Sequence, residues 1–360
     1  MRRGIIRCSA AAVLFGISAP AASRLAGEMG AFTLAGLLYL GAAVAVSPVL
    51  VRVRPSRRAI RRGAWPLSVA VVLGGAVGPV LLATGLGFTP AATASLLLNL
   101  ELVFTTLLAA LVFREHVGTR VVAGTVMVVV AGGALGWSGD ADLRWGALLI
   151  AGACLCWGID NCVTATLDEL APAHITLVKG FVAGGANLAI GLVVGSAPGG
   201  WATLAALVVG AFGYGASITL WVAGARELGA ARGQLVFATA PFVGAVVAWT
   251  VFTEPVVGRQ VVSLVIAAAG VSMVLRSDHL HQHAHGPVEH DHDHDHADGH
   301  HDHGHHDHEP RQALARTQPV DLVDAAGTGL RHRHVHRHSP MVHAHPHVPD
   351  LHHRHDHPDA

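Results

Sequence analysis

Long apolar runs alternate with short polar segments over the first 276 residues of the chain. Ten such runs lie at roughly 4–23, 29–51, 66–86, 89–113, 119–137, 145–166, 172–195, 201–223, 230–253 and 258–276. An α-helix needs about 20 mostly apolar residues to cross the hydrocarbon core of a bilayer. The pattern therefore predicts an all-α membrane protein with about ten transmembrane helices.

One arrangement occurs twice: a long apolar run ends in a carboxylate and is followed by a short loop and a last apolar run. Residues 89–120 contain the first copy, with Glu101 in the middle of the run and Glu115 at its end. Residues 233–259 contain the second copy, in which Glu254 ends the run. Aligning Glu115 with Glu254 also aligns the arginine that follows each of them. A repeat of this length among apolar runs predicts two five-helix modules that are inverted relative to each other.

These features resemble the EamA-type transporters of the drug/metabolite transporter superfamily. The residues that carry the resemblance are Ser95–Glu101, Phe113–Glu115, Phe252–Glu254, Phe15–Gly16 and Trp157–Gly158. The resemblance covers about residues 4 to 276. It implies two EamA-like repeats, at residues 4–137 and 145–276, and leaves residues 277–360 as a separate tail. It does not imply a substrate, because the superfamily carries very different cargoes.

The distribution of arginine predicts the orientation in the membrane. With the N terminus inside, the outer loops hold only Arg24, Arg144 and Arg259. The inner segments hold Arg2, Arg3, Arg7, the six arginines of residues 52–62, Arg114, Arg120, Arg226, Arg232 and Arg276. Positive residues accumulate on the cytoplasmic side of a membrane. Both termini are therefore predicted to be cytoplasmic, in the inner membrane of a bacterial cell.

Composition agrees with a membrane protein and separates the tail from the rest. The chain is 52% hydrophobic and 13% charged, whereas soluble domains are about 25% charged. The formal net charge of zero is the sum of a basic part and an acidic part of the chain. Residues 1–276 hold 18 Lys+Arg and 10 Asp+Glu, while residues 277–360 hold 6 and 14, together with 25 of the 27 histidines.

Three ionisable side chains fall inside the predicted helices, where a charge costs a few kcal/mol on insertion scales. Glu101 lies near the predicted midplane, while Asp160 and Lys179 lie at similar depth on consecutive antiparallel helices, roughly 10 Å below the inner interface at 1.5 Å per residue. The predicted substrate-binding residues are these three, with Asn99, Trp157 and Asn161.

Each of these residues also has a structural explanation. An Asp160–Lys179 ion pair would neutralise two charges that are costly alone. It would either fix the packing of the two helices or contact the substrate. Glu101 has no basic residue at matching depth in its own half, which favours proton coupling or the binding of a cationic group. The alternative is a protonated acid that is hydrogen-bonded to a neighbouring helix.

Other marked positions predict structure rather than chemistry. Glu115 and Glu254 lie at helix exits, where we expect each to anchor its turn by accepting backbone or arginine hydrogen bonds. Gly74/Gly78 and Gly180/Gly184 have the small-xxx-small spacing that is typical of close helix contacts.

The tail is rich in alternating Asp and His and cannot bury enough apolar area to offset its ordering entropy, so disorder is predicted for residues 277–360. Imidazole and carboxylate ligands suit Zn²⁺, Ni²⁺ and Co²⁺. Low-specificity metal binding is predicted for His292, His294, His296, His301, His303, His305, His353 and His355. The alternative is low-complexity drift whose metal binding has no role.

The leading functional hypothesis is a secondary transporter of a small polar metabolite, with a metal-binding tail and no required cofactor. The alternatives are a divalent metal transporter and a membrane protein that buffers metal. An enzyme is not expected, because neither His-Glu-x-x-His nor Gly-x-Ser-x-Gly occurs. The expected partners are the lipid bilayer, the substrate and a proton as coupling ion; a homodimer is left open, and nucleic acid is not expected.

Overall fold

The computed structural model describes residues 2–48, 56–113, 118–137, 141–167, 170–195, 199–228, 233, 236–275, 279–285, 288–295, 331–338 and 341–347. The chain forms two compact units, a helical unit and the unit His279–His347. Four strands of the second unit are described by their backbone pairing.

The helical unit is built from α-helices interrupted by two π-helical segments. The helices are α1 (Arg2–Ala26), α2 (Ala31–Val46), α3 (Arg57–Arg62), α4 (Ala64–Val69), π1 (Ala70–Val77), α5 (Gly78–Leu86), α6 (Ala91–Leu97), α7 (Leu100–Phe113), α8 (Thr119–Gly136), α9 (Ala141–Thr164), α10 (Pro172–Val194), α11 (Gly200–Val209), π2 (Gly210–Ala216), α12 (Ser217–Leu228), α13 (Ala240–Thr250) and α14 (Gly258–Leu275).

Seven stretches are long and apolar enough to cross a membrane. They are Arg2–Ala26, Ala64–Leu86, Ala91–Leu111, Thr119–Gly136, Ala141–Thr164, Pro172–Val194 and Gly200–Ala225. Three shorter apolar helices, Ala31–Val46, Ala240–Thr250 and Gly258–Val274, coincide with the remaining apolar runs of the sequence. The all-helical membrane part is thus confirmed, whereas ten spans in two inverted repeats stay a prediction.

The two halves depart from regular α-helix at corresponding places. The third apolar run of each half contains a π segment, π1 in one and π2 in the other. The fourth run of each half contains a turn, at Leu98–Asn99 in the first half and at Ala238–Thr239 in the second. Such interruptions often accompany functional sites, because they release backbone groups from the helical ladder.

Small residues allow helices α2 and α10 to pack backbone against backbone. A Cβ atom placed on Gly180 would lie 2.5 Å from both the Ala43 Cβ and the Tyr39 carbonyl oxygen. A Cβ atom on Gly36 would lie 2.5 Å from the backbone nitrogen of Leu188. The Gly180/Gly184 spacing therefore has the packing role that was predicted from the sequence.

Four segments of the tail form antiparallel ladders, while the disorder predicted for residues 277–360 stays a prediction for the rest of the tail. Strand β1 (His279–His285) pairs with β4 (Met341–His347), and strand β2 (Val288–Asp295) pairs with β3 (Arg331–His338). The paired segments share a period of two, with histidine at alternate positions, which suits opposed strands. The predicted metal ligands at 296, 301, 303, 305, 353 and 355 lie outside the described residues.

Candidate functional site

The two aromatic–glycine pairs of the sequence occupy equivalent positions in the two halves. Gly16 on α1 approaches α13, since an added Cβ would lie 2.5 Å from the Ala240 carbonyl oxygen. Gly158 on α9 approaches α7, with an added Cβ 2.9 Å from the Phe104 Cβ. The first helix of each half therefore packs through glycine against the fourth run of the other half.

The aromatic member of each pair contacts the π segment of the opposite half. The Trp157 indole N–H donates a hydrogen bond of 3.1 Å to the Gly74 carbonyl oxygen in π1. The Phe15 ring contacts the Tyr214 ring in π2 edge-on, with centroids 5.8 Å apart. The π segments are consequently held by the aromatic side chains of the opposite half.

Tyr39 on α2 links the two π segments at the centre of the bundle. Its hydroxyl donates a 2.6 Å hydrogen bond to the same Gly74 carbonyl, and its ring lies 5.9 Å from the Tyr214 ring. Asn187 on α10 donates to the Ala76 carbonyl at 3.2 Å. Side chains thus satisfy backbone carbonyls of π1 in a place where water would otherwise be needed.

The predicted ion pair between Asp160 and Lys179 is present. Lys179 donates to Asp160 Oδ2, and the two side chains are only 14% and 6% exposed, respectively. Glycines of π1 make room for both, because Cβ atoms on Gly74 and Gly75 would collide with Asp160 and crowd Lys179. Among the described residues, no hydrogen-bond partner reaches the buried Asp160 Oδ1. A buried acceptor without a donor costs about 1–3 kcal/mol, so this oxygen is suited to a bound water or a ligand donor.

Glu101 on α7 lies beside this pair and is bonded across the halves. The Asn161 amide donates to Glu101 Oε1 at 2.9 Å and to the Thr105 hydroxyl at 3.3 Å. Glu101 is half-buried, while Asn161 is exposed. Two consecutive residues of α9, Asp160 and Asn161, therefore connect Lys179 on one side with Glu101 on the other.

An aromatic cluster lies next to these charged groups. Phe15, Tyr39, Tyr214, Trp221 and Phe237 form a chain of rings with centroid separations of 5.4–5.9 Å. Tyr39 is hydrogen-bonded to Gly74, the glycine whose added Cβ would meet Asp160. The candidate site therefore combines two carboxylates, one ammonium group and an aromatic wall.

The bundle is packed differently at its two ends. Every residue from Ala91 to Leu98 is buried, whereas α7 beyond Leu100 is mostly half-buried. At the end where α6 begins, Glu254 accepts hydrogen bonds from the backbone N–H groups of Ala91 (2.8 Å) and Ala92 (2.9 Å). A carboxylate at a helix N terminus satisfies free N–H groups and complements the helix dipole.

A second contact strengthens the same end. The Gln260 side chain is buried and donates a 3.0 Å hydrogen bond to the Thr93 hydroxyl, while its oxygen accepts from the Trp249 indole at 3.1 Å. Arg24 donates to the Phe252 carbonyl at 2.7 Å. Glu254 thus accepts backbone hydrogen bonds as predicted, but from α6 of the other half rather than from its own turn. Glu115 lies outside the described residues.

Five of the six predicted site residues are brought together, and the sixth is not. Asp160, Lys179, Glu101 and Asn161 form one connected group. Trp157 is hydrogen-bonded to Gly74, the glycine whose added Cβ would meet Asp160. Asn99 is buried and its amide donates to the Leu96 carbonyl at 2.9 Å. Its role in this structure is to satisfy a carbonyl at the turn between α6 and α7.

Sequence reasoning missed Tyr39, Tyr214 and the glycines of π1 as site components. Two signals were available: the chain has only two tyrosines, and glycine-rich strings, LGGAVGP and GAFGYGA, recur at corresponding places in the halves. Within the residues whose side chains the structure describes, no group of three or more His, Cys, Asp or Glu could hold a metal ion.

Comparison with known proteins agrees with this architecture. The model of the EamA-like transporter family matches residues 2–134 and 144–276. An uncharacterized transporter of Methanothermobacter thermautotrophicus is 29% identical over 296 residues, which cover 75% of this chain and 86% of the relative. A solved crystal structure with 17% identity covers 76% of this chain and 98% of its own, with a TM-score of 0.55, and so shares the fold. Because the family model matches most of the chain in two copies, the protein belongs to the EamA-like transporter family.

Proposed function

We propose that this membrane transporter is a secondary transporter of a small polar metabolite, which binds beside Asp160, Lys179, Glu101 and Asn161. The observation that carries the proposal is the buried Asp160 Oδ1, which no described donor reaches. A substrate with an ammonium or hydroxyl group would supply that donor. Trp157 and the aromatic cluster would cover the apolar part of the molecule.

Glu101 is the proposed proton carrier. Unlike Asp160, which is paired with Lys179, the Glu101 carboxylate accepts a hydrogen bond from the neutral Asn161 amide. A carboxylate held by a neutral donor can exist with or without its proton, so it can exchange a proton with the pathway. That placement supports the proposal that substrate movement is coupled to a proton gradient.

Both termini are proposed to be cytoplasmic, with ten spans in two inverted halves, at residues 4–137 and 145–276, in a bacterial inner membrane. The excess of arginine in the segments assigned to the inside supports this orientation. Reporter fusions after residue 276 and within residues 52–62 should report the cytoplasm, and a fusion at residue 139 should report the outside. A cytoplasmic signal at residue 139 would overturn the arrangement.

With this orientation, the Glu254 end of the bundle faces outside and the site opens towards the cytoplasm. The exposed Asn161 at membrane depth and the half-buried α7 support an inward-facing state, while Glu254 and Gln260 seal the outside. Alternating access would require those outer contacts to open while α7 closes against the second half.

A metabolite and metal accumulation screen tests the function. Cells that express the full chain are compared with cells that express Asp160→Asn, which keeps the shape but removes the charge. Asp142→Asn makes the same chemical change at the other end of α9 and serves as the matched control. We expect a metabolite whose level changes with the full chain and with Asp142→Asn, but not with Asp160→Asn. The same response for all three proteins would contradict the proposal.

A divalent metal as cargo is the second candidate, because 25 of the 27 histidines lie in the tail. On this alternative, and on the alternative of metal buffering, a protein of residues 1–276 loses metal handling in proportion to the histidines removed. On the metabolite proposal, the shortened protein still moves its substrate. Unchanged metal tolerance with intact metabolite flux would exclude metal as the cargo.

A further inference from the structure

The backbone register of the tail places histidines directly opposite each other. In the ladder of β1 and β4, and likewise in that of β2 and β3, three His–His pairs occur. They are His279–His347, His281–His345, His283–His343, His290–His336, His292–His334 and His294–His332. Within each ladder the three pairs are two residues apart, so they share one face.

From this juxtaposition we infer that the two arms of the tail, residues 279–295 and 331–347, form a clasp that closes on Zn²⁺ or a similar divalent transition metal. The inference deepens the proposed metal-binding tail and does not depend on what the membrane part carries. Two neighbouring His–His pairs, which place four histidines on one face of a ladder, form the site for one ion.

The dimensions of an antiparallel ladder suit this coordination. Directly opposed residues have Cβ atoms about 4.5–5.5 Å apart, and successive residues on one face are about 7 Å apart along the strand. Four histidine positions on one face of the ladder therefore span about 5 Å by about 7 Å. Zn²⁺ accepts four nitrogen ligands in a tetrahedral arrangement at about 2.0–2.1 Å.

Charge supports the same register independently of the histidines. On the other face of the second ladder, acidic residues of one arm oppose arginines of the other, in the pairs Glu289–Arg337, Asp293–Arg333 and Asp295–Arg331. Opposite charges directly across a ladder stabilise it, and like charges destabilise it. A shift of one residue would place aspartate opposite histidine and remove both patterns.

A bound ion would stabilise the ladders, because few other interactions do so. An isolated two-stranded ladder is marginally stable in water, and these strands contain few apolar residues. Metal binding supplies folding free energy when the site forms only in the folded state. A bound ion should therefore stabilise the pairing of the two arms.

Metal titration of the full chain in detergent, with pairs of histidine substitutions, tests the clasp. The test uses a chain that carries His279→Ala, His281→Ala and His283→Ala, so that only the ladder of β2 and β3 offers opposed histidines. In that chain His292→Ala and His334→Ala remove two opposed residues, and each alone should weaken Zn²⁺ binding by about tenfold or more. The double variant should lose little more, because the two residues share one site. His301→Ala with His303→Ala removes as many histidines outside the ladders and should have a smaller effect.

Charge reversal gives a second measurement. Asp293→Arg should weaken Zn²⁺ binding by placing two arginines opposite each other, and Arg333→Asp in the same chain should restore it. Chelator competition reads the affinity, and the absorption of bound Co²⁺ distinguishes tetrahedral from octahedral coordination. Equal losses for opposed and unopposed histidine pairs, additive effects of His292→Ala and His334→Ala, or an octahedral ion would overturn the clasp. None of these results depends on transport, so they leave the proposed transport function untouched.

Discussion

Asn161 on α9 donates a 2.9 Å hydrogen bond to Glu101 on α7, and this bond joins the two halves of the transporter at the candidate site. The preceding residue, Asp160, holds Lys179 on α10. Consecutive residues of one helix point in directions about 100° apart, so α9 connects two charged groups that do not touch each other. We therefore expect a change in the charge of Glu101 to act on α9 and, through it, on the ion pair.

Replacing Glu101 by Gln should uncouple transport from protons. Glutamine keeps an oxygen that accepts from Asn161, but it has no proton to exchange. We expect substrate exchange across vesicles to continue while substrate-driven proton movement is lost, as measured with a pH-sensitive dye. Thr105→Val is the matched control, since it removes the other acceptor of Asn161 and leaves the carboxylate. Proton movement that persists in Glu101→Gln would show that another group carries the proton.

The Asp160–Lys179 pair predicts strong coupling between two substitutions. Asp160→Asn or Lys179→Met alone leaves one buried charge without its partner, which typically lowers the free energy of unfolding by about 3–5 kcal/mol. The double variant leaves no unpaired charge, so it should be more stable than either single variant. Thermal unfolding in detergent measures the three stabilities. Losses that add up in the double variant would mean that the two charges do not interact in the membrane.

The ion pair shows which parts of the site can be predicted from the sequence. Its depth follows from counting residues along two apolar runs, because the bilayer fixes where each helix begins and ends. The role of Asn99 could not be predicted in this way. Whether its amide turns to the site or to Leu96 depends on the turn after α6, and that turn is set by contacts with other helices.

The π segments show the same limit. Glycine-rich strings indicate close packing, but an α-helix and a π-helix have nearly the same sequence preferences. The π form of residues 70–77 is stabilised by donors from Tyr39, Trp157 and Asn187, which lie 31 residues or more away in the sequence. The sequence pattern of one helix cannot indicate hydrogen-bond donors that lie on three other helices.

Two glycines of α10 provide a matched test of its packing. Gly180→Ala places a methyl group 2.5 Å from the Ala43 Cβ, while an added Cβ on Gly185 meets nothing within 4 Å. Overpacking typically costs about 1–3 kcal/mol, so Gly180→Ala should lower the unfolding temperature in detergent. Gly185→Ala should leave it unchanged or raise it slightly, because alanine favours the helix. Equal effects of the two changes would contradict the close contact between α2 and α10.

The contacts of Glu254 should stabilise the state in which this end of the bundle is closed. Removing its carboxylate should therefore shift the equilibrium towards the open state. Glu254→Ala removes the acceptor of two backbone N–H groups at the start of α6, and it places no new group there. The sealed state loses about 0.5–2 kcal/mol, the usual cost of removing a helix cap, whereas a state in which these contacts are already open loses nothing. The population of the open state should therefore rise between about twofold and thirtyfold.

Cysteine labelling measures that shift. The four native cysteines are buried. Ser95→Cys places a thiol behind the seal, one turn further along α6, at a buried hydroxyl that has no hydrogen-bond partner among the described residues. A membrane-impermeant maleimide added at the Glu254 end should react faster with it in the Glu254→Ala background than in the parent. Glu28→Ala changes a glutamate in the loop between α1 and α2, close to Arg24, and should leave the rate unchanged. If Glu254→Ala also leaves it unchanged, Glu254 stabilises α6 equally in both states and does not control access to the site.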